Sequence, residues 1–101
     1  MDIKLEAPGH KNQEELRDYC SELLLKKFGK YPFLKAVDIK FIKEEDISKV
    51  SIMFKPERGV MNYVSEEDEN EHRAFAGAVS KMRIMIEKYK DKHYHNVHRK
   101  S

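Results

Sequence analysis

The sequence predicts an α+β domain in which two helices pack on one face of a four-stranded sheet. Three observations lead to this prediction: two stretches with helical spacing of apolar residues, four short stretches in which apolar and polar residues alternate, and turn residues between them. The order along the chain is β-α-β-β-β-α. Because 101 residues suffice for one domain, we place that domain at 1–95 and a basic C-terminal tail at 96–101.

The first strand and the first helix are predicted within the N-terminal part of the chain. Apolar and polar residues alternate around Leu5, as in a half-buried strand. Asn12 can cap a helix, with Glu15 completing a capping box, and Gly29 is a suitable C-terminal stop. The helix is therefore predicted over 13–28. Its apolar face consists of Leu16, Cys20, Leu23 and Leu24.

Three further strands follow the first helix. Alternation of apolar and polar residues returns at 37–41 and at 50–54, and the polar segment 43–46 between them is typical of a turn. A second turn at 56–59 precedes another apolar stretch at 60–64. Two hairpins in succession predict an antiparallel meander.

The last element is the helix with the strongest pattern. Asp68 with Glu71 forms a second candidate capping box, and we interpret the acidic run at 66–71 as favourable electrostatics at the start of a helix. Apolar residues then recur at intervals of three and four, which predicts one continuous buried stripe. The stripe consists of Phe75, Val79, Met82, Ile86, Tyr89 and His93.

Basic residues lie on both sides of this stripe, although the net charge of the chain is only +2. At about 100° per residue, Lys81, Lys88 and Lys92 share one flank. Arg83 and Lys90 share the other flank. Such segregation can produce a local positive field that the net charge conceals. A solvated helix face is the alternative explanation.

The sequence contains no motif that indicates an enzyme, a cofactor or a small-molecule substrate. A P-loop, a GxGxxG loop and an HExxH pair are all absent from it. Cys20 lies on the apolar face of the first helix, which predicts a buried thiol rather than a nucleophile. The histidines His93, His95 and His98 invite a metal interpretation, but we interpret them as part of a fraying C-terminal end. We expect no enzyme activity and no bound metal.

The length of the apolar runs and the number of cysteines predict where in the cell the protein is located. Its apolar runs are far shorter than the roughly 20 residues that span a bilayer, so no membrane partner is expected. One cysteine excludes an internal disulfide and suits a reducing compartment. These features predict a cytoplasmic protein.

The element order is similar to that of a double-stranded RNA-binding domain, which runs α-β-β-β-α. The second helix of that module normally opens with lysines, whereas this one opens with acids. The sequence also lacks the glycine-aromatic pattern of an RRM and the GxxG loop of a KH domain. Many cations with few base-reading groups indicate binding to RNA phosphates by charge and shape.

Several short motifs resemble the ribosome hibernation-promoting factors, also called ribosome-associated inhibitors or sigma-54 modulation proteins. The joint spacing of these motifs over nearly the whole chain carries the resemblance. They are Leu16-Arg17-Asp18-Tyr19, Val37-Asp38-Ile39, Gly59-Val60, Glu67-Asp68-Glu69-Asn70, Ala78-Val79-Ser80-Lys81-Met82 and Glu87-Lys88-Tyr89-Lys90-Asp91-Lys92.

The resemblance implies a domain that binds the small ribosomal subunit between head and body. There it would overlap the paths of mRNA and tRNA and inactivate ribosomes under stress, without catalysis. It also implies that basic residues on the two helices contact rRNA. The matching positions are Lys26, Lys30, Lys81, Lys88, Lys90 and Lys92, with Lys27 and Arg83 as nearby substitutes.

The chain departs from the family pattern in the second helix. Arg83 stands where the family has glutamate, and Ile84 where it has arginine. Ile84 would be a solvated isoleucine unless a partner covers it, so the alternative is a diverged protein-interaction module that uses Ile84 and the acidic segment. As a short form, the chain is expected to lack the dimerising domain of longer members. Ribosome pairing would then need another modulation factor.

Overall fold

The computed structural model describes the backbone of residues 1–99 and the side chains of residues 1–92. The elements follow one another in the predicted order, which confirms the α+β class. They are β1 Asp2–Glu6, α1 Gln13–Phe28, β2 Leu34–Glu44, β3 Ile47–Pro56, β4 Asn62–Asp68 and α2 Glu71–Arg99. Helix α2 includes residues 96–99 of the predicted tail, and residues 100–101 lie outside the described part.

The four strands form one sheet in the order β1-β2-β3-β4. Strands β2, β3 and β4 pair antiparallel, as the two predicted hairpins require. Strand β1 pairs parallel to β2, because α1 connects them as a crossover. One row of the register runs across all four strands through Leu5, Ile39, Ile52 and Val64, and these side chains are buried beneath the two helices.

Aromatic side chains fill the space between the helices and the sheet. The Phe75 ring on α2 has its centroid 6.1 Å from that of Phe41 on β2 and 6.2 Å from that of Tyr19 on α1. The ring centroids of Phe33 and Tyr89 lie 4.8 Å apart near the other end of the core. In the part of the chain that the structure describes, neither helix has the length and apolar character needed to cross a membrane.

Cys20 is fully buried on α1, as its place on the apolar face predicts. Burial raises the pKa of its thiol from 9.0 to about 12, and the nearby negative charge of Glu71 acts in the same direction. The thiol is therefore protonated and protected at neutral pH.

Strand β4 begins two residues later than predicted and includes much of the acidic run. Val60 remains in the turn, whereas Glu66 and Glu67 lie in the strand rather than at the start of α2. Glu67 is paired with Lys49 across β3 and β4. The backbone pairing with β3 outweighs the low strand propensity of acidic residues, and the ion pair of Lys49 is formed with Glu44 rather than with Glu67. The helix-start interpretation was therefore wrong for this part of the run.

The predicted capping box at the start of α1 does not form. The side chain of Asn12 makes no capping hydrogen bond. Its backbone N–H instead donates to Nδ1 of His10, at 3.1 Å. Nε2 of His10 lies 3.0 Å from the carboxylate oxygens of Glu71. His10 thus connects the loop before α1 to the first turn of α2, a contact between residues distant in sequence.

Asn70, not Asp68, caps α2. Its Oδ1 accepts hydrogen bonds from the backbone N–H groups of His72 and Arg73, at 2.9 and 3.0 Å. Asp68 still belongs to β4, and its carboxylate accepts from the backbone N–H of Asn70 at 2.8 Å. Asn70 directly precedes the first helical residue, which is the position from which a short side chain reaches the free N–H groups.

Candidate nucleic-acid interface

The predicted basic residues do not form one continuous surface. They lie in separate places around α2, because β4 packs along one flank of that helix, while side chains of α1 and of the segment just after it approach the other flank. We call the group between the helices the inter-helix cluster: Lys27, Lys30, Arg83 and Lys90. We call the cavity between the β3–β4 turn and α2 the turn hollow: its cations are Arg58, Lys88 and Lys92.

The inter-helix cluster surrounds Tyr31, which follows the end of α1. Lys27, Lys30 and Arg83 line a shallow hollow together with this tyrosine. Nζ of Lys30 lies 5.5 Å from the centroid of the Tyr31 ring, and Nζ of Lys90 lies 5.9 Å from it. At these distances the ring attracts both ammonium groups. Tyr31 thereby holds together a lysine from the turn after α1 and a lysine from α2.

One carboxylate, that of Glu87, approaches this cluster. It lies 3.7 Å from Nζ of Lys90, and its other oxygen accepts a hydrogen bond of 3.5 Å from the Tyr31 hydroxyl. Among the described residues, no carboxylate lies within ion-pair distance of Lys27, Lys30 or Arg83. The cluster therefore keeps a net positive charge that an anion could neutralise.

The turn hollow combines cations with apolar surface. The backbone N–H of Arg58 donates to the Tyr89 hydroxyl at 2.9 Å, which fixes the turn against α2. Gly59 permits this approach, since a Cβ there would lie 3.4 Å from the Tyr89 ring and 3.2 Å from Pro56 Cγ. Arg58 was not among the predicted site residues, because its sequence position identifies only a turn and its contact with α2 is tertiary.

Lys81 lies at the edge of the sheet and is neutralised within the protein. Its Nζ donates to the backbone carbonyl of Ser65 at 2.9 Å and lies 3.3 Å from the Glu66 carboxylate. Both partners belong to β4, which is an edge strand. Lys81 therefore binds α2 to the sheet edge, although it shares a flank with Lys88 and Lys92.

The remaining candidate residues lie apart from both groups of cations. Lys26 is exposed on the side of α1 opposite the buried Leu24. Ile84 is 58% exposed on α2. Within the part of the chain that the structure describes, no three His, Cys, Asp or Glu residues are placed to hold a metal ion. The side chains of the predicted histidine group, 93–98, lie outside that part.

Comparison with solved structures identifies the same fold in other proteins, among them the following two. A ribosomal subunit interface protein from Coxiella burnetii is 18% identical, with a TM-score of 0.79, and the alignment covers 89% of this chain and 98% of that one. The N-terminal domain of Protein Y from Thermus thermophilus is 21% identical, with a TM-score of 0.76 and coverage of 88% and 99%. No curated protein sequence gives a significant match.

The family comparison covers almost the whole domain. The model of the family described as sigma 54 modulation protein / S30EA ribosomal protein matches residues 3–94. That range includes α1, strands β2 to β4, all but the first residue of β1, and most of α2. This is a family of ribosome-associated modulation factors rather than a known enzyme family. The chain belongs to the sigma 54 modulation protein / S30EA ribosomal protein family, as its sequence motifs predicted.

Proposed function

We propose that this protein binds the small ribosomal subunit in the cytoplasm through phosphates of rRNA and blocks the path of mRNA and tRNA. The inter-helix cluster makes the main contact in this proposal. Family membership supports binding to ribosomes, and the two similar structures include a ribosomal subunit interface protein. The choice of rRNA phosphates as the contacted groups rests on the cations of this chain.

The observation that carries the proposal is the convergence of cations on Tyr31. Lys30 follows the end of α1 and Lys90 belongs to α2, and their Nζ atoms lie 5.5 and 5.9 Å from the centroid of one ring. Like charges repel one another, and the described residues supply only Glu87 as a neighbouring carboxylate. A polyanion relieves this repulsion, and RNA phosphates spaced along a backbone fit several cations at once.

Co-sedimentation with purified small subunits at increasing salt tests the contact with phosphates. Each neutralised phosphate lowers log affinity by about 0.7–0.9 per log unit of salt concentration. A cluster of three to four cations therefore predicts a slope of roughly 2–4. Binding that does not change with salt would contradict the proposal, because contacts to ribosomal proteins through apolar surface are not screened in this way.

A competition experiment tests the blocked path. Small subunits are first loaded with a short mRNA and initiator tRNA and are then mixed with the protein. We expect weaker binding than to empty subunits, since both ligands would compete for one site. Equal binding to loaded and empty subunits would place the protein elsewhere on the ribosome and overturn the blocking mechanism.

A further inference from the structure

The turn hollow has features that binding to phosphates alone does not require. It has a volume of about 500 Å³, within the roughly 300–1,000 Å³ typical of pockets for small ligands. One part of its lining is cationic and another part is apolar. The cations are Arg58, Lys88 and Lys92, and the apolar residues are Val60, Met85 and Tyr89.

The apolar part is open to solvent. Val60 is 77% exposed at the rim of the hollow, the largest value among the large hydrophobic residues with described side chains. Met85 and Tyr89 are half-buried and form the floor. Exposed apolar surface beside a cavity is typical of a binding site. The floor is also held in place, because the Tyr89 hydroxyl accepts a hydrogen bond from the backbone of Arg58.

The charge of the hollow defines its occupant further. None of the residues that line it is acidic, and in the described part of the chain no carboxylate lies within ion-pair distance of its three cations. A suitable occupant therefore carries negative charge next to an apolar or flat surface. An unpaired nucleotide combines these two properties, since its base stacks on side chains while the neighbouring phosphates contact lysine and arginine.

We infer that the turn hollow binds an unpaired RNA nucleotide, with its base against Val60, Met85 and Tyr89 and its phosphates on Arg58, Lys88 and Lys92. This inference rests on the proposed function, in which rRNA is the partner. It adds a base contact and makes the β3–β4 turn part of the interface. An acidic protein segment with an apolar side chain is the competing occupant.

The test compares two labelled single-stranded RNAs of about six nucleotides, a length that a small binding surface accommodates. One is oligo(A), and the other is an abasic chain with the same number of phosphates. Because stacking of one base contributes about 1–3 kcal/mol, which is about fivefold or more in affinity, the protein should prefer oligo(A) by at least that factor. V60D should remove the preference, whereas R58Q should weaken binding of both chains equally.

The matched control is Y63D, which places the same acidic group at an exposed residue on the outer face of the sheet. This variant should keep the preference for oligo(A). Equal affinity of the unmodified protein for both chains, or a preference that persists in V60D, would overturn the inference. Displacement of oligo(A) by an acidic phenylalanine-containing peptide at a lower concentration than unlabelled oligo(A) would also overturn it.

Binding to small subunits is measured in parallel. If the unmodified protein prefers oligo(A) but does not bind subunits, the proposed function fails while the nucleotide site stands. If it binds subunits but has no preference for oligo(A), the nucleotide site fails while the proposed function stands.

Discussion

The two flanks of α2 carry similar basic residues but differ in what surrounds them. On the flank beside α1, Arg83 lies with Lys27 and Lys30 around Tyr31, and none of the three has a carboxylate partner within the described chain. On the flank beside β4, Lys81 is bound to the carbonyl of Ser65 and the carboxylate of Glu66. The cations beside α1 are therefore available to a partner, whereas Lys81 stabilises the fold.

This difference shows why helical spacing alone does not identify a binding surface. Lys81 and Arg83 are equally basic and lie on opposite flanks of one helix. The neighbouring element decides their roles: an edge strand offers free carbonyl groups and acidic side chains, whereas the end of α1 offers more cations. The following predictions test that contrast, from the largest expected effect to the smallest.

Truncating Phe75, a core side chain on which the positions of both flanks depend, should have the largest effect on stability. Phe75 is fully buried between the helices and β2, so F75A should lower the free energy of unfolding by about 3–5 kcal/mol. Urea denaturation measures this loss. The control I84A changes an exposed residue of the same helix and should stay within about 0.5 kcal/mol. Similar losses for the two variants would contradict the description of the core.

Charge reversal on the α1 side should have the next largest effect. The double variant K30E/R83E should lower the affinity for small subunits on the order of 100-fold, because attraction to phosphates becomes repulsion. Co-sedimentation measures the change. Neither side chain is buried, so stability should remain nearly unchanged.

The matched control for that variant is K40E/K43E, which reverses two exposed lysines toward the other end of β2. It makes the same change in net charge away from the inter-helix cluster. Affinity should fall by less than about tenfold, through the general field of the protein alone. An equal loss in both double variants would show that net charge, not the cluster, determines binding.

Much of the fold could be predicted from the sequence, because it depends on local patterns. The bounds of α1 were predicted correctly, and the apolar stripe of α2 predicts its buried face. The extension of β4 into the acidic run depends on its pairing with β3, and this extension leaves Asn70 as the residue before α2, so local patterns assigned both the strand end and the cap wrongly.

The site was harder to predict than the fold. Helical spacing places Lys81 and Arg83 on opposite flanks but contains no information on what packs beside each flank. Tyr31 and Arg58 lie outside the two helices, and only tertiary contacts bring them to the cations. The sequence therefore predicts which side chains are charged, while the contacts of α2 with β4 and α1 determine which of them are free.

Removing the charge of Lys81, on the flank of α2 beside β4, should have a moderate effect on stability. K81Q removes the ion pair with Glu66 and weakens the hydrogen bond to Ser65, both partly exposed, so it should cost about 0.5 kcal/mol. Amide hydrogen exchange should become faster in β4 and stay unchanged in β1. Faster exchange in all strands alike would indicate a general loss of stability rather than release of the sheet edge.

The smallest expected effect concerns the reactivity of Cys20, which charge reversal on the α1 side should leave unchanged. Because burial and Glu71 raise the pKa of Cys20 to about 12, its reaction with a thiol reagent at neutral pH requires α1 to open. The charge variant K30E/R83E should therefore react as slowly as the unmodified protein. Faster reaction would mean that this variant loses affinity through unfolding of α1.

The most direct test of the contrast between the two flanks is the salt dependence of small-subunit binding in R83Q and K81Q. Each variant removes one positive charge from α2. The account predicts that R83Q lowers the slope of log affinity against log salt by about 0.7–0.9, the value for one phosphate contact, and that K81Q leaves the slope unchanged. An equal decrease in both variants, or a decrease in K81Q alone, would contradict it.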